Sequence, residues 1–116
     1  MARVLLIDDD RVQVEIRALN FSISGHQVRV ASGVEQATRE FETEEPDCIV
    51  MDLRLPAASD GLNLIRMFRA SPTFTGRVFV LSGFPRDLQG TAEAALVDAI
   101  LTKPVRTEAL LALLGG

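Results

Sequence analysis

Four short apolar runs along the chain each end in a residue able to do chemistry. Val4-Leu5-Leu6-Ile7 runs into Asp8-Asp9-Asp10, and Cys48-Ile49-Val50-Met51 into Asp52. Val78-Phe79-Val80-Leu81 runs into Ser82-Gly83, and Ala99-Ile100-Leu101-Thr102 into Lys103-Pro104. An unbroken apolar run of this length reads as a strand buried on both faces, as in a parallel sheet. A fifth, shorter strand is expected at Gln27–Val30.

Helical patterns lie between the strands. Val12, Ile16, Leu19 and Ile23 are spaced by four, three and four and mark one helical face, although Val12, Val14 and Ile16 also fit a strand's alternation. The Asp8–Asp10 run caps this helix and Gly25 stops it. Ser32 followed by Glu35 resembles a capping box, after which Val34, Ala37, Thr38 and Phe41 face inward. Glu40, Glu42, Glu44 and Glu45 fall on or beyond the solvent side. The third strand is placed at Asp47–Met51, and Leu53–Ser59 is a loop. Ser59 or Asp60 caps the next helix, whose stripe is Leu62, Ile65 and Phe68, with Arg66 and Arg69 pointing away. The fourth strand is Arg77–Leu81, and Pro85 opens a helix to about Val97, with a weak stripe and an internal Gly90. A fifth strand at Asp98–Thr102 and a short helix at Thr107–Leu114 complete the chain. All five prolines fall at element boundaries. Strand and helix alternate five times, which predicts an α/β fold with helices on both faces of a parallel sheet.

The 116 residues suit one domain, 1–116, with a sizeable core. A net charge of −4 disfavours a nucleic-acid binder, which carries a basic stripe. No apolar stretch approaches the roughly 18 residues of a membrane span. The single Cys48 has no disulfide partner and suits a buried apolar position, so a reducing, cytoplasmic setting is expected. His26, the only histidine, is expected at the surface, in the turn after the first helix.

In an open parallel sheet, ligands bind at the carboxyl ends of the strands. Asp8, Asp9, Asp52, Ser82 and Lys103 then gather at one edge. Three converging carboxylates repel one another unless a cation neutralises them, and oxygen-only ligands suit magnesium, which takes one or two carboxylates plus phosphate oxygens. Lys103 adds a point charge for a phosphoryl oxygen and Ser82 a hydroxyl. Together they form a site for phosphoryl transfer onto Asp52. Each piece alone is more simply a helix cap, a turn serine or surface punctuation; their joint placement at the ends of different strands favours the site.

With these motifs, and with Pro46-Asp47-Cys48-Ile49-Val50-Met51-Asp52-Leu53-Arg54-Leu55-Pro56 and Asp60-Gly61 beside them, the sequence resembles the receiver domains of two-component response regulators over its whole length. The resemblance implies a flavodoxin-like (βα)5 fold with strand order 2-1-3-4-5. It implies that Asp52 accepts a phosphoryl group from a phosphohistidine on a sensor histidine kinase or histidine phosphotransfer protein. It implies Mg2+ held directly by Asp9, Asp52 and the backbone carbonyl of Arg54, with Asp8 acting through water. Ser82 and Lys103 would bind phosphoryl oxygens, the Lys103–Pro104 bond would be cis, and the surface around the fourth helix and fifth strand would switch. A weak homodimer is compatible with this.

The sequence also departs from the family pattern. The loop from Pro56 to Gly61 is one residue longer than usual. Ile100 stands where the family places an aromatic switch residue. Arg54 and Phe84, two residues beyond Asp52 and Ser82, occupy positions that influence phosphoryl lifetime in the family. The last helix is short, which suits a segment of a larger regulator or hybrid kinase. An aspartyl-nucleophile phosphatase or phosphotransferase is the competing class, but such enzymes carry a second acid where this chain has Arg54. A flavin or nucleotide binder would need a phosphate loop where three acids stand. A degenerate receiver used only for protein contacts would not need the complete acidic, hydroxyl and lysine set.

Overall fold

The computed structural model describes residues 2–115. Five strands, β1 (Arg3–Ile7), β2 (Gln27–Ala31), β3 (Cys48–Asp52), β4 (Arg77–Ser82) and β5 (Ala99–Thr102), form one sheet. All pairings are parallel, in the order β2-β1-β3-β4-β5. The α-helices are α1 (Arg11–Ile23), α2 (Val34–Thr43), α3 (Ala58–Ala70) and α4 (Thr107–Leu113).

The strand alternation divides the core in two. Leu5, Ile7, Ile49, Met51, Val78 and Val80 pack with Phe41, Leu64, Ile65 and Phe68 of α2 and α3. Val4, Leu6, Cys48, Val50, Phe79 and Leu81 pack on the other face with Val14 and Phe21 of α1 and with Leu110 and Leu114 at the chain's end. Because both sheet faces are covered, β3 is buried at every position. Burial also pushes the Cys48 thiol up to about 12, so it stays a protonated filler.

Several local expectations change. The face Val12, Ile16, Leu19 and Ile23 is helical, but it is the solvent face of α1; the buried residues are Val14, Arg17 and Phe21. Ser32 does not pair with Glu35. Its N–H and hydroxyl both donate to the Gln36 side chain, at 2.8 and 3.0 Å. Asp60 acts from inside α3, accepting the Ala57 N–H at 3.0 Å. Gly61 lies where a Cβ would collide with the Leu53 backbone, so its lack of a side chain lets α3 approach the residue after Asp52. His26 is buried: its Nδ1 accepts the Ala2 N–H at 3.0 Å and its ring meets Phe21 edge-on.

The largest correction lies between β4 and β5. The helix expected from Pro85 to Val97 is replaced by two 3-10 turns, Pro85–Asp87 and Ala92–Leu96. Gly90 between them has φ +76°, which an α-helix does not accommodate. Arg66 and Arg69 do not point away either. They reach this segment from α3, Arg66 to Glu93 at 2.5 Å and Arg69 to the Leu96 carbonyl at 2.8 Å and the Asp98 carboxylate at 3.0 Å. Polar ties thus hold much of what a helical apolar stripe would hold.

Candidate phosphoacceptor site

The strand register assembles the site. Ile7 pairs with Met51, so Asp8 lies beside Asp52 where β1 and β3 end. Asp52 pairs with Leu81, which sets Ser82 one step further along β4. Ser82 pairs with Thr102, and Lys103 follows immediately. The three strand ends are tied across by Leu53 N–H to the Leu81 carbonyl at 3.2 Å and Lys103 N–H to the Ser82 carbonyl at 2.9 Å.

Asp8, Asp9 and Asp52 present carboxylate oxygens within 4.8 Å of one another, with Asp8 and Asp52 buried and Asp9 exposed. Asp10 is separated from this work: its carboxylate caps α1 by accepting the Gln13 N–H at 3.1 Å. Asp8 Oδ1 accepts the Asp10 N–H at 2.8 Å, while its buried Oδ2 has no hydrogen-bond partner among the described residues. A buried, orphaned oxygen on a carboxylate clustered with two other acids is costly without a cation. The donor set therefore fits a hard divalent ion.

Lys103 Nζ lies 2.7 Å from Asp52 Oδ1. Even so, burial and then the neighbouring Asp8 outweigh the lysine and raise the Asp52 pKa to about 7. Ser82 Oγ accepts the Phe84 N–H at 3.0 Å, leaving its own proton free to donate. A cleft of about 170 Å³ is bounded by Asp52, Arg54, Leu81, Ser82, Gly83, Phe84 and Lys103. The Lys103–Pro104 bond is cis, as is Leu55–Pro56 in the loop after β3. Ile100 is outside the cleft wall, in register with Val80, and 39% exposed.

The sequence did not indicate Asp87. Its carboxylate receives the Arg54 Nε at 2.7 Å and Nη2 at 3.3 Å, and the Arg54 guanidinium lies 4.0 Å from the centre of the Phe84 ring. The contact joins residues 33 apart through a 3-10 turn, and no periodicity announces it.

Residues 4–115 match the family model of the response regulator receiver domain. The transcriptional regulatory protein TrcR of Mycobacterium tuberculosis is 32% identical over 114 residues, covering 98% of this chain and 44% of TrcR. The virulence regulator PhoP of Salmonella typhimurium is 32% identical over 97% of this chain and 50% of its own length. The chain thus spans about half the length of these relatives. Among solved structures, a CheY-like receiver domain from Methylobacillus flagellatus superposes with a TM-score of 0.86 at 27% identity, covering 99% of this chain and 97% of that one. TrrA of Thermotoga maritima, solved with Mg2+ and BeF, shares the fold at a TM-score of 0.84 and 18% identity, over 99% of this chain and 97% of its own. The acidic edge, the parallel sheet and the near-complete match agree, and the chain belongs to the response regulator receiver domains of two-component systems.

Proposed function

We propose that this domain accepts a phosphoryl group on Asp52 from a phosphohistidine of a sensor histidine kinase or histidine phosphotransfer protein. The observation that carries the reading is the cluster of three carboxylates within 4.8 Å, with Lys103 Nζ 2.7 Å from Asp52. In the transfer, the bond from phosphorus to the donor's imidazole nitrogen breaks as the bond to an Asp52 oxygen forms. Asp8, Asp9, Asp52 and the backbone carbonyl of Arg54 would hold Mg2+, which supplies charge neutralisation for the acids and the incoming phosphoryl oxygens. Lys103 and the Ser82 hydroxyl stabilise the equatorial oxygens. The chain acts on itself only, promoting its own phosphorylation and dephosphorylation. Arg54, engaged by Asp87, leaves no second acid in the position a hydrolase would use.

The solvent face of α1 supports a protein donor. Val12, Ile16, Leu19 and Ile23 are 58–75% exposed, and the stripe begins three residues after Asp9 of the acidic cluster. A partner segment lying on this stripe has one end at the carboxylate edge. No described helix is long and apolar enough to cross a membrane.

Incubation with acetyl phosphate and Mg2+ tests the reading. The wild type gains the mass of one phosphoryl group and Asp52→Asn gains none, because an amide is a poor nucleophile. Equal labelling of the two proteins removes Asp52 as the acceptor.

A further inference from the structure

We propose that Asp87 is a positioning residue that sets the lifetime of the phosphoryl group, by holding the Arg54 guanidinium across the mouth of the Asp52 cleft against the Phe84 ring. The inference rests on Asp52 being the acceptor.

Arg54 follows β3 and Phe84 follows the adjacent β4, and both line the cleft beside Asp52. Left to itself, a half-exposed arginine samples many rotamers. Here two contacts remove that freedom. Asp87 takes a two-point bond from Nε and Nη2, at 2.7 and 3.3 Å, and the guanidinium stacks 4.0 Å from the Phe84 centroid. The planar fork suits both at once, which a lysine would not.

The anchor itself is fixed. The Asp87 N–H donates to the Phe84 carbonyl at 2.9 Å, closing the 3-10 turn, and the next residue, Leu88, is fully buried in the core. Asp87 is outside the cleft wall, so it acts on the cleft only through Arg54. The carboxyl of Asp87 is in turn held below its ordinary range by the Arg54 guanidinium beside it.

Loss of the phosphoryl group requires water to attack phosphorus from the side opposite the Asp52 oxygen. The new P–O bond forms as the bond to Asp52 breaks, giving the free carboxylate, inorganic phosphate and a proton. That approach is made through the cleft that the Arg54–Phe84 stack lines. An incoming phosphoryl group carries close to two negative charges and draws Arg54 inward. Asp87 opposes that pull and keeps the stack in the path of water.

The domain is labelled with acetyl phosphate and Mg2+, the donor is removed, and decay is followed by intact mass. Asp87→Asn should lose its phosphoryl group at least about threefold faster than wild type. Asp87→Glu should recover most of the difference. In an Arg54→Ala background, which retains the backbone carbonyl, adding Asp87→Asn should change nothing further. In the unlabelled protein, slow solvent exchange of the Arg54 Nε–H, seen by NMR, should be lost in Asp87→Asn. Unchanged decay in Asp87→Asn, or faster decay that persists in the Arg54→Ala background, overturns the role of Asp87. Slower decay overturns it too, since released Arg54 would then protect the phosphoryl group better than held Arg54. A wild type that takes no label removes the acceptor reading and this one together; a labelled wild type with an indifferent Asp87 removes this one alone.

Discussion

A single carboxyl group, Asp52, the proposed acceptor, ties the stability of this domain to pH. Its ordinary pKa of 3.8 is raised to about 7, first by burial and then by Asp8, with Lys103 opposing. A carboxyl raised in this way binds its proton more tightly in the native state than in the unfolded chain. Its stabilising contribution is complete below pH 3.8 and is lost as pH rises through about 7. Each tenfold gain in proton affinity on folding is worth about 1.4 kcal/mol, so chelator-treated protein should lose up to a few kcal/mol from this group across that window. Urea titrations at several pH values, on wild type and Asp52→Asn, isolate the effect as the difference between the two slopes. Asn should flatten this part of the profile, and saturating Mg2+, which favours the ionised form, should shrink the difference. Parallel profiles for the two proteins in chelator would mean that Asp52 is not the titrating group. The acids, Ser82 and Lys103 were legible because each closes an apolar run, and the parallel register does the rest. Asp87 and His26 were not. Asp87 meets Arg54 through a turn whose path the local sequence does not dictate, and His26 is held by the Ala2 N–H near the start of the chain.

Elements differ in how well a pattern describes them. α2 and α3 have one apolar face each, and their buried residues Ala37, Phe41, Leu64, Ile65 and Phe68 fall close to the expected stripes. α1 has two, so spacing alone finds a face without saying which way it turns. The inner one is short because Arg17 occupies a buried position between Val14 and Phe21. The outer one leaves four large apolar side chains in water with no partner among the described residues, which a structural role does not require. Ile16→Glu should leave stability within about 0.5 kcal/mol, as expected of an exposed position. Labelling by acetyl phosphate should be unchanged, because the small donor needs only the cleft. Transfer from a phosphohistidine-bearing protein that labels the wild type should fall by about fivefold or more. Equal transfer rates would show that the donor docks elsewhere. The segment 85–97 failed as a predicted helix for a different reason: Gly90 interrupts it and its alanines offer little apolar area, so neither propensity nor burial sustains α-helical turns.

Across the whole molecule, the central strands are buried while the segment after β4 is built of short 3-10 turns. Three arginine–acid pairs, Arg54–Asp87, Arg66–Glu93 and Arg69–Asp98, tie that segment to the loop after β3 and to α3. Only the first borders the cleft. Phosphorylation of Asp52, as proposed, would add charge beside Arg54 and engage the Ser82 hydroxyl, the residues nearest the start of the segment. Ile100 offers no rotating aromatic to relay the change: it is β-branched, has no hydroxyl, and is already 39% exposed. The response should therefore travel through 82–97, whose 3-10 turns have one fully buried apolar anchor, Leu88, with Ala94, Leu96 and Val97 only partly buried beside it. Hydrogen exchange with and without beryllofluoride and Mg2+ measures this directly. The largest change in protection is expected between Ser82 and Val97, with little at Ile100, and Arg54→Ala should reduce the change in that segment more than elsewhere. A response concentrated in β5 and α4, with 82–97 unaltered, would locate the switch in the far edge of the sheet instead.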